Sequence, residues 1–312
     1  MAAIAARLVP TKFARRPRRP IGTGALAWGL LAPALVILLA MTIAPTMYLV
    51  GASFQHVNLL GTGSTFVGFR NYLEVLSDPS IGWSAAATLL FVALAVGIEL
   101  LLGLALALLL SRKMREINLL TALFVVPLGV APVVSALVFR VLLNPAYGWL
   151  DWYLQSWGLM GNPVDWLSQP VTAWIALIGL DVWQWTPFVA LILLAGLQGI
   201  PSEPKEAAVV DGASPIALFW YVTLPLLRPF IAIALVLRAI EAFKTFGSVW
   251  ILTAGGPGTS TELITLDLYR VALQDFNVGA AAALGICFLL CLSVVMTELL
   301  NVLGRNTDIL ED

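Results

Sequence analysis

The chain carries six stretches of more than twenty residues that are mostly apolar with few charges, at 26–52, 84–110, 119–142, 171–199, 229–252 and 278–303. Each is long enough to cross the hydrocarbon core of a bilayer, which takes about 20 mostly apolar residues at 1.5 Å rise per residue. Lipid offers no partner to a peptide N–H or C=O, so each stretch is predicted to close its own hydrogen bonds as a helix. The expected fold class is therefore an all-α membrane protein with six transmembrane helices. With 60% hydrophobic and 11% charged residues, nothing is left over for a soluble catalytic domain. The domain reading is a basic segment over 1–25, expected to be cytoplasmic, followed by one six-span domain over 26–312 that includes a polar connection at 200–228.

The scarce charges orient the chain. Arg7, Lys12, Arg15, Arg16, Arg18 and Arg19 precede the first span. Arg112, Lys113 and Arg115 follow the second, Lys205 and Arg228 lie between the fourth and fifth, and Arg305 follows the sixth. The other side has Arg70 and Arg270, with Arg140 near its edge. Basic residues near span ends resist translocation, so both termini are expected in the cytoplasm of a bacterial inner membrane. Trp83, Trp149, Trp152, Trp157, Trp166 and Trp174 gather on the opposite side, where amphipathic rings suit a headgroup boundary. The first apolar stretch is too long for a cleaved leader. A net charge of -1 argues against a nucleic-acid partner. Cys287 and Cys291, one turn apart in the last span, read as small apolar packing residues, and His56 as a solvated loop residue. Pro45, Pro127, Pro132 and Pro187 fall inside spans and are expected to kink them.

The connection at 200–228 holds the most specific pattern. Ser202 with Glu203 reads as a helix start, and Ser214 followed by Pro215 as a second one. Gly212 lies between them where the chain must turn, and Pro225 is expected to stop the second helix. The result is a bent two-helix element with an apolar side (Ile216, Phe219, Trp220) and a front carrying Glu206 and Asp211. An amphipathic helix lying on the membrane surface is the plain alternative. The spacing Glu206-Ala207-Ala208, Gly212, Val222, Leu224-Pro225 closely resembles the coupling-loop motif of permease subunits in binding-protein-dependent ABC importers, with Val222 where that motif usually has Ile. The resemblance implies that the first helix docks in a cleft of an ATPase subunit. Glu206 would meet basic residues there, Ala207 and Ala208 would permit close approach, and Gly212 would supply the bend. Phe66-Val67-Gly68-Phe69-Arg70-Asn71-Tyr72 and Leu252-Thr253-Ala254-Gly255-Gly256-Pro257-Gly258 resemble outer-loop motifs of the maltose-type, carbohydrate-uptake branch, although no large outer insertion is present.

A charge inside a span costs roughly 2.5–3.5 kcal/mol on insertion scales and should face protein or water. The fifth span holds Arg238, Glu241 and Lys244, with Arg238, Glu241, Ala242 and Thr245 on one helical face. Two readings stay open there: an internal Arg238–Glu241 ion pair, or contact with a solute. In the fourth span Asp181, Gln184, Trp185 and Phe188 share a face that sets hydrogen-bonding groups beside flat rings, as a sugar needs. The resemblance places these segments on a substrate cavity, and packing against neighbouring helices is the alternative. Glu99 reads as an interhelical hydrogen-bonding residue, and Glu298 as one that reaches the inner boundary.

No phosphate-cradling Gly-Lys-Ser/Thr sequence occurs, so no cofactor is expected on this chain, and ATP with Mg would be used by a separate subunit. The partners implied are a second homologous permease, two ATPase subunits, an extracytoplasmic solute-binding protein and membrane lipid. A secondary carrier with Asp181, Glu241 or Glu99 as proton relay is the rival reading. An intramembrane enzyme is disfavoured, since no paired carboxylates, His cluster or Ser/Lys arrangement is present.

Overall fold

A computed structural model of the chain describes residues 23–57, 63–111 and 117–304. The basic residues Arg7, Lys12, Arg15, Arg16, Arg18, Arg19, Arg112, Lys113, Arg115 and Arg305, and nearly all of the 1–25 segment, lie outside the described residues. The chain divides at Tyr48 into two units. The first contains most of helix α1 (Thr23–Ser53), which runs through Pro33 and Pro45. Its hydroxyls are closed within the helix: Thr42 donates to the Leu38 carbonyl at 2.8 Å and Thr46 to that of Thr42 at 2.7 Å.

The second unit starts at Leu49. Strands β1 (Gln55–Val57) and β2 (Ser64–Phe66) pair antiparallel, and the short helix α2 (Arg70–Ser77) follows. Asn71 is buried here and donates to the carbonyls of Ser53 and Gln55 at 2.8 and 2.9 Å, tying the motif over 66–72 to the end of α1. Helix α3 (Pro79–Leu110) begins five residues before the predicted 84. Asp78 caps it by accepting from the Ser80 N–H, and Pro79 occupies the first turn, where a missing donor costs nothing.

The third predicted span is broken. Helix α4 (Ile117–Val125), a 3₁₀ turn over Val126–Gly129 and helix α5 (Pro132–Leu142) meet at a 95° bend. The sequence expected one kinked helix. Pro132 biases Ala131 away from helical angles, and both Val130 and Ala131 are extended, so the helix stops instead of bending. Helix α6 (Trp149–Ser156) packs outside the spans, where buried Asp151 accepts from the Trp166 indole at 2.7 Å.

Helix α7 (Pro170–Gly199) matches the predicted fourth span within one residue and runs unbroken through Pro187. It is the most enclosed of the spans and packs chiefly on α3. Helix α8 (Glu203–Val210) and helix α9 (Pro215–Leu218) follow as predicted, with Gly212 between them at φ +82°. Pro225 does not stop the second helix, contrary to expectation. A π-helical turn over Phe219–Thr223 leads into α10 (Leu224–Phe243), so one helical run extends from Pro215 to Phe243. The wider turn moves aside the carbonyl that the proline ring would otherwise strike. The fifth span therefore starts before the predicted 229 and ends before the predicted 252. Helix α11 (Gly247–Leu252) is a separate piece packed on α5, and α12 (Ile264–Tyr269) with a π turn over Arg270–Gln274 leads to α13 (Val278–Gly304).

Among the described residues, five helices are long and apolar enough to cross a membrane, and six if the bent α4–α5 pair counts as one span. The core forms in layers along them. One cluster centres on Phe91, Leu177, Leu180, Ala239, Ala242 and Phe243. A second holds Ala107, Val189, Leu193, Leu197, Leu227 and Ala234. Both join α3, α7 and α10, and apolar packing of this kind, not a hydrophobic drive from water, holds helices together in lipid.

Candidate functional site

Glu99 of α3, Asp181 of α7 and Arg238 of α10 meet between those two clusters. Arg238 lies between Ala234 of one cluster and Ala239 of the other, and Asp181 directly follows Leu180. The Arg238 Nη2 donates to Glu99 Oε1 at 3.0 Å and pairs with Asp181, while its Nε lies 2.5 Å from Glu99 Oε2. Glu99 and Arg238 are 0% exposed and Asp181 3%. Of the two readings left open for Arg238, the Arg238–Glu241 pair does not form. Although three residues apart on one helix, Arg238 turns into the protein and Glu241 turns out, pairing with Lys244 at 2.7 Å with both side chains about half exposed. The burial also removes Arg238 and Asp181 from direct solute contact in this structure. A guanidinium can satisfy two carboxylates at once because its donors form a planar fork.

The guanidinium carbon lies 5.1 Å from the centre of the Trp185 ring, within cation–π range. Trp185 in turn meets Phe188 edge to face, with centroids 6.0 Å apart. Both rings are half-buried, so each keeps some surface uncovered. On the same helix Gln184 is buried, and its amide donates at 2.7 Å to the carbonyl of Val130, freed by the break before α5. The break after α10 is closed in a matching way, by Thr265 donating at 2.6 Å to the Thr245 carbonyl. The two breaks adjoin: a Cβ on Gly247, at the start of α11, would stand 3.0 Å from Val133 in the first turn of α5. Interrupted helices that meet in this way are a recurring way to expose polar backbone inside a transporter.

Of the residues expected to line a cavity, the structure brings Gln184, Trp185 and Phe188 together on α7. It sets Glu241, Lys244 and Thr245 at the exposed end of α10 and buries Ala242 in the core. Lys244 and Thr245 lie past the helix end, not inside the span. The Val130 carbonyl and Thr265 were not expected, because sequence spacing on one helix says nothing about which helix breaks beside it. Among the described residues, recesses of about 250, 500 and 330 Å³ open elsewhere, beside Cys287 and Cys291, beside Trp183 and beside Trp149. Their walls are almost wholly apolar and would leave a polyhydroxylated solute unsatisfied.

The bent helix pair differs in character. Glu206, Ala207, Asp211 and Gly212 are exposed, and Ala208 and Pro225 half-buried. The turn is closed by backbone bonds from Asp211 to Ala207, Gly212 to Val209 and Ala213 to Ala208, at 2.9, 3.0 and 2.9 Å. Ser214 caps α9 by accepting from the Ala217 N–H at 3.2 Å. Ser202 occupies the cap position of α8 without a side-chain bond, contrary to expectation, because its own backbone is already helical. Ile216 and Trp220 are exposed and Phe219 half-buried, so the apolar side is left largely uncovered by this chain.

In the motif over 252–258, Ala254, Gly255 and Gly258 have positive φ, giving the turn expected there. Arg270 clamps it, donating to the Ala254 carbonyl at 2.9 Å and pairing with buried Glu262. Asp267 stands beside Glu262, Arg270 and Ser84. Burial, reinforced by the Glu262 carboxylate, pushes its carboxyl up to about 7.

The sequence profile described as "Binding-protein-dependent transport system inner membrane component" matches residues 99–308. A trehalose/maltose transport system permease protein, MalF of Thermococcus litoralis, is 37% identical over 277 residues, covering 88% of this chain and 92% of that one. A trehalose transport system permease protein, SugA of Mycobacterium tuberculosis, is 33% identical over 284 residues, 89% of each. Among solved structures, a chain of a bacterial alginate ABC transporter in complex with an alginate pentasaccharide-bound periplasmic protein shares the fold. It aligns with a TM-score of 0.79 at 22% identity, over 91% of this chain and 95% of that one.

Proposed function

This chain belongs to the family of binding-protein-dependent transport system inner membrane components and is a multi-pass permease of the ABC importer class, and we propose that the solute it carries inward is a sugar or sugar derivative. The observation that carries the substrate class is the 37% identity to a trehalose/maltose permease across almost the whole of both chains. The geometry supports it: Trp185 and Phe188 keep some surface uncovered on α7, and Glu241, Lys244 and Thr245 gather polar groups at the end of α10. A sugar ring, with polar edges and less polar faces, is the solute such a surface suits.

Under this reading the chain performs no chemistry and binds no cofactor. It works with a second permease of its own kind and a pair of ATPase subunits that use ATP and Mg. A solute-binding protein delivers sugar to the outer loops. Both termini lie in the cytoplasm, and so does the bent pair α8–α9. Glu206 meets basic groups of an ATPase, with Ala207 and Ala208 allowing close approach. Closure of the ATPases rocks the permease halves about a midplane site. The test is uptake into vesicles holding the complete complex, run against a panel of maltose, trehalose, glycerol 3-phosphate and an amino acid. Sugar uptake should stop when ATP is withheld and survive an uncoupler. The reverse pattern would make the chain an ion-coupled carrier.

A further inference from the structure

We infer that Glu99, Asp181 and Arg238 form a positioning clasp whose guanidinium fixes the indole of Trp185 as a flat surface for a solute ring. The inference rests on the sugar-transport reading for its functional consequence and on geometry alone for the clasp. Three observations lead to it. First, the charged groups are sealed, so none of them touches solute in this arrangement. Second, pinning three helices does not by itself call for charge, because buried ionic triads can often be replaced by apolar side chains without loss of stability. Third, the carboxylates occupy the edge of the guanidinium, and the Trp185 ring lies within cation–π range of its carbon at 5.1 Å. An edge held from α3 and α7 fixes the plane of the group, and the plane fixes the ring beside it. The ring then sets Phe188, edge to face, one turn further along α7.

Glu99 and Asp181 are thus positioning residues that act through Arg238. A lysine could supply the charge but not the fork, so the arrangement depends on arginine specifically. Orientation of a half-buried ring is worth enforcing where a solute face must be met at a fixed tilt, since misplacement costs binding that area alone would supply.

The experiment uses the complete importer in lipid nanodiscs with 5-fluorotryptophan incorporated, the Trp185 signal being identified by its loss in Trp185→Phe. Two variants probe the clasp: Arg238→Lys, which keeps the charge, and Glu99→Gln/Asp181→Asn/Arg238→Met, which removes all three charges together and spares the fold an unpaired ion. In both, the Trp185 ¹⁹F resonance should split or broaden while the other tryptophan signals stay in place. With trehalose as the probe, the KM for uptake should rise about 10-fold at nearly constant kcat, as expected when a contact surface loses its fixed orientation and must be ordered on binding. A Trp185 resonance unchanged in both variants overturns the clasp, whatever uptake does. A displaced resonance with unchanged KM upholds the clasp and removes Trp185 from the solute path, which counts against the proposed site instead. Absence of trehalose uptake by the unmodified importer likewise counts only against the substrate reading, and the resonance still decides the clasp.

Discussion

The clasp and the bent helix pair both carry acidic side chains on helices, yet they resolve them in opposite ways. Glu99 and Asp181 are closed off by one guanidinium, with 0% and 3% of their surfaces exposed. Glu206 and Asp211 face outward, and the neighbouring Val210 and Tyr221 are 86% and 82% exposed. A charge sealed in a low-dielectric interior must find its partner within the chain. An exposed carboxylate beside uncovered apolar side chains leaves both demands for another molecule to meet. The first region finds its counter-charges within the chain, and the second is half of something.

The sharpest way to break this contrast is to reverse one charge on the open side. Glu206→Lys should abolish uptake and uncouple ATPase stimulation, while the chain still inserts and folds. Uptake assays paired with a membrane-fraction blot read both halves, and normal uptake refutes the coupling role. On the closed side the effect should fall on folding. Arg238→Ala strands two buried carboxylates and should cost about 3–5 kcal/mol, seen as a lower melting temperature and poor yield of the purified chain. A variant as stable as the parent would show that Glu99 and Asp181 do not depend on Arg238.

A smaller effect sharpens the account of the bend. Around Gly212 there is open space for a Cβ, so Gly212→Ala meets only the backbone penalty of φ +82°, about 1–2 kcal/mol. Uptake should fall severalfold with ordinary insertion, and the same change at open Gly179, in the body of α7, should do nothing. The smallest effect concerns the cluster of Asp267, Glu262 and Arg270. Asp267 holds its proton more tightly in the folded chain than in an unfolded one, with a carboxyl raised from 3.8 to about 7. Between those two values the folded state binds more protons, so its stability falls as pH rises through that range. Solvent screening keeps the slope shallow. Melting curves from pH 4 to pH 8 should show that decline, and Asp267→Asn should flatten it.

Much of the fold was legible before any coordinates. The fourth and sixth spans lie within a residue of their predicted ends because length and apolarity alone define a helix in lipid. The helix starts at Ser214-Pro215 and the turn at Gly212 were legible from local chemistry. Breaks were harder. Pro132 announced a disturbance in the third span, yet the 95° bend depends on two extended residues whose carbonyl is met by Gln184 from another helix. Pro225 misled because a π turn just before it absorbs the steric conflict, and nothing in the composition of Phe219–Thr223 declares such a turn. The site was legible face by face but not pair by pair. Helical spacing put Arg238 beside Glu241, whereas the interhelical geometry gave it to Glu99, 139 residues away in sequence.

The uninterrupted run from Pro215 to Phe243 has a mechanical consequence. Its 29 residues measure about 44 Å along the axis, with the bend at Gly212 just before one end and Lys244 at the other. Such a rod behaves as a lever arm: a tilt of about 5° at the Gly212 end would swing the far tip by ~4 Å. That travel exceeds the length of a hydrogen bond, enough for Lys244 and Glu241 to exchange one set of neighbours for another without any local refolding.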